Sequence, residues 1–178
     1  MAFGFRKPSA VSGGLGDLGS AAADVAGKIW NSPNTALGVL YGGVGHVVGW
    51  VEHLAGRRPD APSVQVRDNA LQFLNNPFGG VGAITIGNTT TYYDDPYSAQ
   101  GRTDWSGVER REGHPVWEHE RQHTIQGQQL GPLYLPSNLL AGLAALALDR
   151  DKRGAPDWHG PHNWNERGPQ LNPARPWP

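Results

Sequence analysis

The sequence predicts an α+β fold in which a few helices surround a small antiparallel sheet of two to four strands. Three stretches support this prediction: an apolar, glycine-rich segment at 36–55, a run of β-forming residues at 64–93, and a polar helix between Pro115 and Gly131. The chain has 178 residues, of which 25 are glycine and 15 are proline. We therefore expect a loop-rich protein with few regular elements.

The first part of the chain is expected to divide near residue 35. Residues 1–35 predict a weakly ordered lead-in that contains a short helix at 21–30, because glycine and serine are frequent there. Residues 36–178 are predicted to form a single domain that starts with a helix at 36–55. No Asp, Glu, Lys or Arg occurs between Thr35 and Val51. Segment 36–51 therefore fits either a buried helix packed closely on a second helix, which we favour, or a segment that contacts a membrane.

The middle and last thirds of the chain alternate between strand and helix signals. Residues 64–73, 83–86 and 89–93 carry alternating or β-branched residues, which predict the strands of the sheet. Pro115 suits the first position of the helix that follows, and the Gly-Pro pair at 131–132 ends it. A second apolar helix is expected at 139–148.

Composition excludes several classes of function. There is no cysteine, so any transition metal must be held by histidines and carboxylates. The net charge is −1 and 17% of residues are charged, so we expect no nucleic-acid partner. Arg6 and Lys7 are not followed by an apolar segment, which predicts no secretory signal peptide. The expected location is therefore cytoplasmic, and export as an effector by a route that needs no signal peptide stays open.

The stretch 119–123 reads His-Glu-Arg-Gln-His and is the motif that carries chemistry. On a helix, His119 and His123 lie one turn apart on one face and can reach one zinc ion. Glu120 then lies beside the metal, where it can take a proton from a water molecule that zinc has made acidic. The alternative is an exposed charged helix whose histidines have no function.

A catalytic zinc site needs a third protein ligand. The extended motif HExxHxxGxxH fails, because Gln126 and Gln129 replace its glycine and last histidine. We favour Glu166, since it is the only glutamate after Glu120, and His159 is the next choice. The full set of downstream candidates is Asp157, His159, His162 and Glu166.

Other side chains are candidates for a supporting role in catalysis. Pro161 could start a short helix that carries His162 and Glu166 on one face, so that His162 orients the site or donates to a developing oxyanion. Tyr134 could donate in the same way, although a tyrosine in such a run is more often part of the core. Strand 83–86 could bind a peptide as an added strand.

Several blocks of this sequence resemble gluzincin-type HExxH zinc metallopeptidases, reduced to a minimal zincin-like core. The chain is more closely similar to a group of small bacterial metallopeptidase-like proteins that share an apolar glycine-rich segment and three further blocks: NNPFGG…GAITIGN, EHERQHTIQGQQLGPLYLPSNL and HGPHNWNERGPQ. The resemblance covers roughly residues 35–177. It implies His119, His123 and Glu166 as metal ligands and Glu120 as general base. Domains of this kind also occur in bacterial toxins and effectors, so the resemblance extends to such a role.

The sequence therefore predicts a zinc-dependent hydrolase that cleaves a peptide or amide bond in a peptide or protein substrate. One alternative is a membrane-associated binding or effector protein, in which segment 36–51 is the active element and the metal is structural or absent. Another is a site that binds metal without catalysis.

Overall fold

The computed structural model describes residues 15–80, 82–98, 115–171 and 176–177. Within these residues the chain has the predicted α+β architecture, with five α-helices and a sheet of four strands. The helices are α1 (Leu15–Trp30), α2 (Ser32–Leu54), α3 (Val116–Leu130), α4 (Tyr134–Leu148) and α5 (Trp164–Leu171). The strands are β1 (Ser63–Arg67), β2 (Ala70–Leu74), β3 (Ala83–Ile86) and β4 (Thr89–Tyr92).

The sheet is mixed, with the strand order β1-β2-β4-β3, so the prediction of an antiparallel sheet is wrong in this respect. β1 with β2 and β3 with β4 form antiparallel hairpins, while β2 and β4 lie parallel, with Leu71 opposite Thr89. Turn signals in the sequence specify each hairpin, and Asp68 and Asn69 adopt the positive φ that such a turn requires. The pairing between the two hairpins depends on tertiary packing, which local alternation does not encode.

Helix α1 is longer than the short helix predicted at 21–30 within the N-terminal lead-in. It covers Leu15–Trp30, and α2 follows after one residue, with Pro33 in its first turn. Contacts with α3 stabilise α1: Gly27 packs against Gln128, and the Gln128 amide lies 3.1 Å from the Asp24 carboxylate. Such packing outweighs the low helix propensity of glycine and serine. Residues 1–14 of the predicted lead-in lie outside the described residues.

Helix α2 packs against the sheet through a face made almost entirely of glycine. Its buried residues are Asn34, Gly38, Gly42, Gly45 and Gly49. A Cβ atom at Gly42 would overlap the ring of Phe73 on β2, so the sheet touches the helix backbone itself. The close packing that the sequence predicted is therefore present, but the partner is the sheet rather than a second helix.

The interior of the described structure is unusually polar. The apolar cluster is small and consists of Leu74, Tyr92 and Val116, with Ala83 and Trp117 packed against it. Buried polar side chains outnumber buried apolar ones, and most of the polar face of α3 is buried. The sheet and α5 therefore enclose the histidines and carboxylates of the motif helix.

Candidate metal centre

Three side chains from two helices meet at the buried face of α3. His119 and His123 lie one turn apart on α3, and Glu166 lies in the first turn of α5. One ligand atom from each residue falls within 4.8 Å of the others, and all three side chains are buried. Across the described ranges no other group of this kind is present.

The geometry of this triad fits a tetrahedral zinc ion. Metal bonds of about 2.0–2.1 Å place two tetrahedral ligand atoms about 3.3–3.4 Å apart. The Glu166 Oε2 atom lies 3.2 Å from His119 Nε2 and 3.5 Å from His123 Nε2. The two Nε2 atoms are 2.9 Å apart, which an opening of a few tenths of an ångström brings to the ideal separation. The donor set of two imidazoles and one carboxylate is also a zinc set.

Gln126 fixes the orientation of His123. Its Nε2 atom donates to the carbonyl oxygens of Asn165, at 2.8 Å, and Pro176, at 2.5 Å. Its Oε1 atom therefore points to His123 Nδ1, at 2.8 Å, and accepts a hydrogen bond from it. With the proton on Nδ1, the lone pair of His123 Nε2 faces the triad, which is the tautomer a metal requires.

Asn163 positions Glu166 by capping helix α5. Its Oδ1 atom accepts hydrogen bonds from the backbone nitrogens of Asn165, at 3.2 Å, and Glu166, at 3.3 Å. The Asn163 Nδ2 atom donates to the Trp158 carbonyl at 2.9 Å, so the cap is itself held in place. An asparagine cap of this type satisfies backbone donors that would otherwise lack partners. The carboxylate of Glu166 is thereby held towards α3.

The triad carries a buried charge that is balanced internally. Burial alone would raise the pKa of Glu166, but attraction to His123 and hydrogen bonds with both histidines hold this pKa well below its usual range. Burial alone would lower the pKa of His123, but the negative charge of Glu166 outweighs this effect and raises the pKa. A cation is therefore favoured between these groups, whether it is a proton or a metal ion.

Glu120 lies beside the triad and is held by the sheet. Its Oε2 atom accepts a hydrogen bond of 2.6 Å from Thr85 Oγ1 on β3, and Thr85 Oγ1 also lies 3.0 Å from Thr90 Oγ1 on β4. Its negative charge acts on His123 and Tyr134 and contributes to the raised pKa of each. The neutral hydroxyl of Thr85 therefore orients Glu120, and the charge of Glu120 acts on the neighbouring side chains of the site.

Tyr134, which the sequence offered as an oxyanion donor or a core residue, lies near His123. It is fully buried at the start of α4, with its ring centroid 6.5 Å from that of His123. Burial, followed by the charges of Glu166 and Glu120, raises its pKa well above the usual range. The hydroxyl therefore keeps its proton and is available as a hydrogen-bond donor.

His162 does not share a helical face with Glu166, which corrects the prediction made from Pro161. Helix α5 begins at Trp164, because Asn163 supplies the cap, and His162 precedes it. The exposed His162 ring pairs through Nδ1 with Asp149 Oδ1 at 2.6 Å, and the backbone nitrogen of His162 donates to Asp149 Oδ2. This pairing lowers the pKa of Asp149 against the opposing effect of burial.

His159, the second choice for third ligand, is not part of the triad. Its backbone nitrogen donates to Asp157 Oδ1 at 3.0 Å, and its carbonyl accepts from Gln170 Nε2 at 3.2 Å. The structure therefore brings Glu166, and not His159, to the histidine pair.

Three residues with important contacts were not identified from the sequence: Thr85, Gln126 and Asn163. The position of Asn163, three residues before Glu166, is typical of a helix cap and could have been recognised. Gln126 was noted only because it breaks the extended zinc motif. Nothing in the local sequence indicates that Thr85 contacts Glu120, since the two are distant in the chain and meet only through packing of β3 on α3.

Comparisons with known proteins give no further support for these assignments. No family model matches the chain, and no curated protein or solved structure matches it. The resemblance to gluzincin-type peptidases therefore stays a prediction from the motifs.

Proposed function

We propose that this protein is a zinc-dependent hydrolase that cleaves a peptide or amide bond. The observation that carries the proposal is the buried triad of His119, His123 and Glu166, with the carboxylate of Glu120 next to it. A bound zinc ion would supply Lewis acidity and lower the pKa of a water molecule to about 7. The ligand set is the one found in gluzincins, so the same proposal extends to that type of site.

Glu120, Thr85 and Tyr134 each have a separate role in the proposed reaction. Glu120 takes the proton from the attacking water and returns it to the leaving amine. Thr85 binds one oxygen of Glu120, and across the described residues the other oxygen accepts no hydrogen bond, which leaves it available for the proton. Tyr134, kept protonated by burial, donates a hydrogen bond to the developing oxyanion.

The edge of the sheet provides a place for an extended substrate. β3 is an edge strand of the sheet and pairs with β4 on one side. It also carries Thr85, which contacts Glu120. Among the described residues no strand pairs with the other side of β3, and a peptide added there would gain main-chain hydrogen bonds and run close to the metal centre. This mode of binding favours peptide substrates of varied sequence.

The test separates metal binding from catalysis by a change at Glu120. We expect about one zinc ion per chain in the purified protein and cleavage of members of a peptide library. Glu120→Gln should keep the zinc and reduce kcat by at least about a hundredfold, because the general base is lost. Glu118→Gln, the same chemical change two residues earlier on α3, is the matched control and should retain activity.

Two results would overturn the proposal. Zinc at one per chain with no cleavage of any library peptide would support a metal site without catalysis. Full activity of the Glu120→Gln variant would remove Glu120 from the reaction.

A further inference from the structure

The exposed surface of α1, α2 and the segment from Gly131 to Leu148 is rich in large aliphatic side chains. Leu40, Val47 and Val51 on α2 are 63–65% exposed, and Leu140 and Leu148 on α4 are 62% and 64% exposed. Almost all of the exposed large apolar residues of the described structure lie on these three segments. A water-soluble protein of this size rarely exposes so many large aliphatic side chains on its helices.

The same helices bury their smallest residues. α2 turns its glycines to the sheet, and α4 buries Ala141, Gly142 and Ala145. A Cβ atom at Gly142 would overlap the ring of Trp158, so this packing is as close as that of α2. Helices that face lipid often turn small residues inward and large aliphatic residues outward. A surface helix of a soluble protein has the reverse arrangement, with its large apolar residues turned inward.

Neither outward face carries a formal charge. The sequence contains no Asp, Glu, Lys or Arg at 35–51 or at 134–148. Charged residues follow both stretches, at Glu52 in the last turn of α2 and Arg57 beyond it, and at Asp149 and Arg150 after α4. An uncharged aliphatic face bounded by charged residues is suited to a hydrocarbon phase next to water.

Length and packing favour contact with the membrane surface over spanning it. Among the described residues, one helical run, Val116–Leu148, is long and apolar enough to cross a membrane by length and composition. Its first half, α3, carries the buried His119 and His123 of the triad. Helix α4 alone measures about 22 Å against about 30 Å for the hydrocarbon core. The inner side of α2 is covered by the sheet, so only its outer side is free for lipid.

We propose that the protein binds the surface of a lipid bilayer through the outward faces of α2 and α4, whose leucines and valines enter the acyl-chain region. A second copy of the chain fits this surface less well. Protein interfaces are enriched in aromatic residues, methionine and arginine, whereas the large exposed apolar residues on α2 and from Gly131 to Leu148 are all Leu or Val except Trp50.

The stretches 1–14 and 99–114, which lie outside the described residues, contain few large apolar side chains. Residues 99–114 are mostly polar and contain Trp105 and Val108 as their only large apolar side chains. Residues 1–14 contribute Met1, Phe3, Phe5 and Val11. These side chains are too few for two helix faces. The proposal does not depend on catalysis, since no residue of the metal triad lies on the outward faces.

The first experiment is flotation of the full chain with vesicles of neutral phosphatidylcholine. We expect the protein to float with the vesicles, and binding to be little changed between about 0.1 M and about 1 M salt, because the face is uncharged. Loss of binding at high salt would indicate an electrostatic contact instead and would contradict the proposal.

The second experiment changes the face without changing the packing of the protein. The double variant Leu40→Glu/Val47→Glu alters two well-exposed side chains and should lower vesicle partition by roughly a hundredfold. Val64→Glu/Val66→Glu on β1 introduces the same charges at exposed valines that belong to none of these helices, and this variant should bind vesicles as the unmodified chain does. An unchanged far-UV circular dichroism spectrum and melting temperature in both variants would show that they are folded.

A third experiment measures the accessibility of a spin label, which attaches only to an introduced cysteine because the sequence contains none. A spin label at Val44→Cys should be more accessible to oxygen than to a water-soluble nickel complex when vesicles are present, whereas a label at Val66→Cys should show the opposite. A chain that stays with the soluble fraction as a dimer, and that becomes a monomer in Leu40→Glu/Val47→Glu, would overturn the proposal in favour of self-association. Failure of zinc binding or catalysis would not alter these results, so the two proposals can fail separately.

Discussion

Replacement of Gln126 by methionine tests whether one side chain organises the metal centre. Methionine has a similar length and can fill the same buried space, but it has no amide. The variant therefore leaves three groups without their hydrogen-bond partner: the Nδ1 proton of His123 and the carbonyl oxygens of Asn165 and Pro176. The perturbation is confined to these bonds, because Gln126 is fully buried and has no exposed atoms to lose.

The expected cost follows from the number of groups affected. A buried polar group that loses its partner costs about 1–3 kcal/mol. Three groups would lower the free energy of unfolding of the zinc-free protein by about 3–9 kcal/mol, and two groups by about 2–6 kcal/mol if the Pro176 carbonyl turns to water. Loss of a group that orients a metal-binding histidine weakens metal affinity by about 10–100-fold. Both effects should appear in one variant.

Zinc affinity would be measured by competition with a chromophoric chelator at neutral pH, and stability by denaturant unfolding in excess chelator. Gln129→Met is the control, because Gln129 lies on the exposed side of α3 and accepts a bond from Trp177 at 2.5 Å. The Gln129→Met variant loses a hydrogen bond to Trp177, the neighbour of Pro176, but it keeps the hydrogen bond between Gln126 and His123. Wild-type zinc affinity in Gln126→Met, or an equal loss in Gln129→Met, would refute this role for Gln126.

Two further predictions concern stability. In the zinc-free protein, the pair of Glu166 and His123 should stabilise the fold most between about pH 4.5 and 6.5, the ordinary pKa values of these groups. Below this window Glu166 gains a proton, and the contribution is lost as the pH falls towards its lowered pKa. Above the window His123 loses its proton, and the contribution is lost as the pH rises towards its raised pKa. A thermal-unfolding profile unchanged in Glu166→Gln would contradict this. Gly42→Ala should destabilise the fold by about 1–3 kcal/mol through overlap with Phe73, whereas Gly43→Ala, which meets open space, should stabilise it by up to about 1 kcal/mol. Denaturant unfolding of the two variants checks the sign of each effect.

The proposed ligand set could be predicted because it depends on local spacing and on composition. The four-residue interval between His119 and His123 fixes a common face on any helix. Glu166 was favoured because no other glutamate follows Glu120. Neither inference requires knowledge of the tertiary fold, and the structure brings these residues together.

Features that depend on long-range packing were predicted less well. The parallel pairing of β2 with β4 joins two hairpins, and the sequence at 68–69 and at 87–88 indicates only a turn or a bulge. The helix at Leu15–Trp30 begins before the short helix predicted at 21–30, and its Gly27 packs against Gln128 of α3. The position of His162 was wrong since Asn163, and not Pro161, determines where α5 begins.

The polar interior has a consequence for how the protein should respond to temperature. Buried threonines, asparagines and glutamines replace much of the apolar core, while leucines and valines already lie outside. Unfolding in water would therefore expose little new apolar surface, and the heat-capacity change per residue should fall below the usual value of about 12–15 cal/mol/K. The free energy of unfolding would therefore change little with temperature. Internal hydrogen bonds would supply much of the stabilisation that an ordinary globular core gains from the release of water.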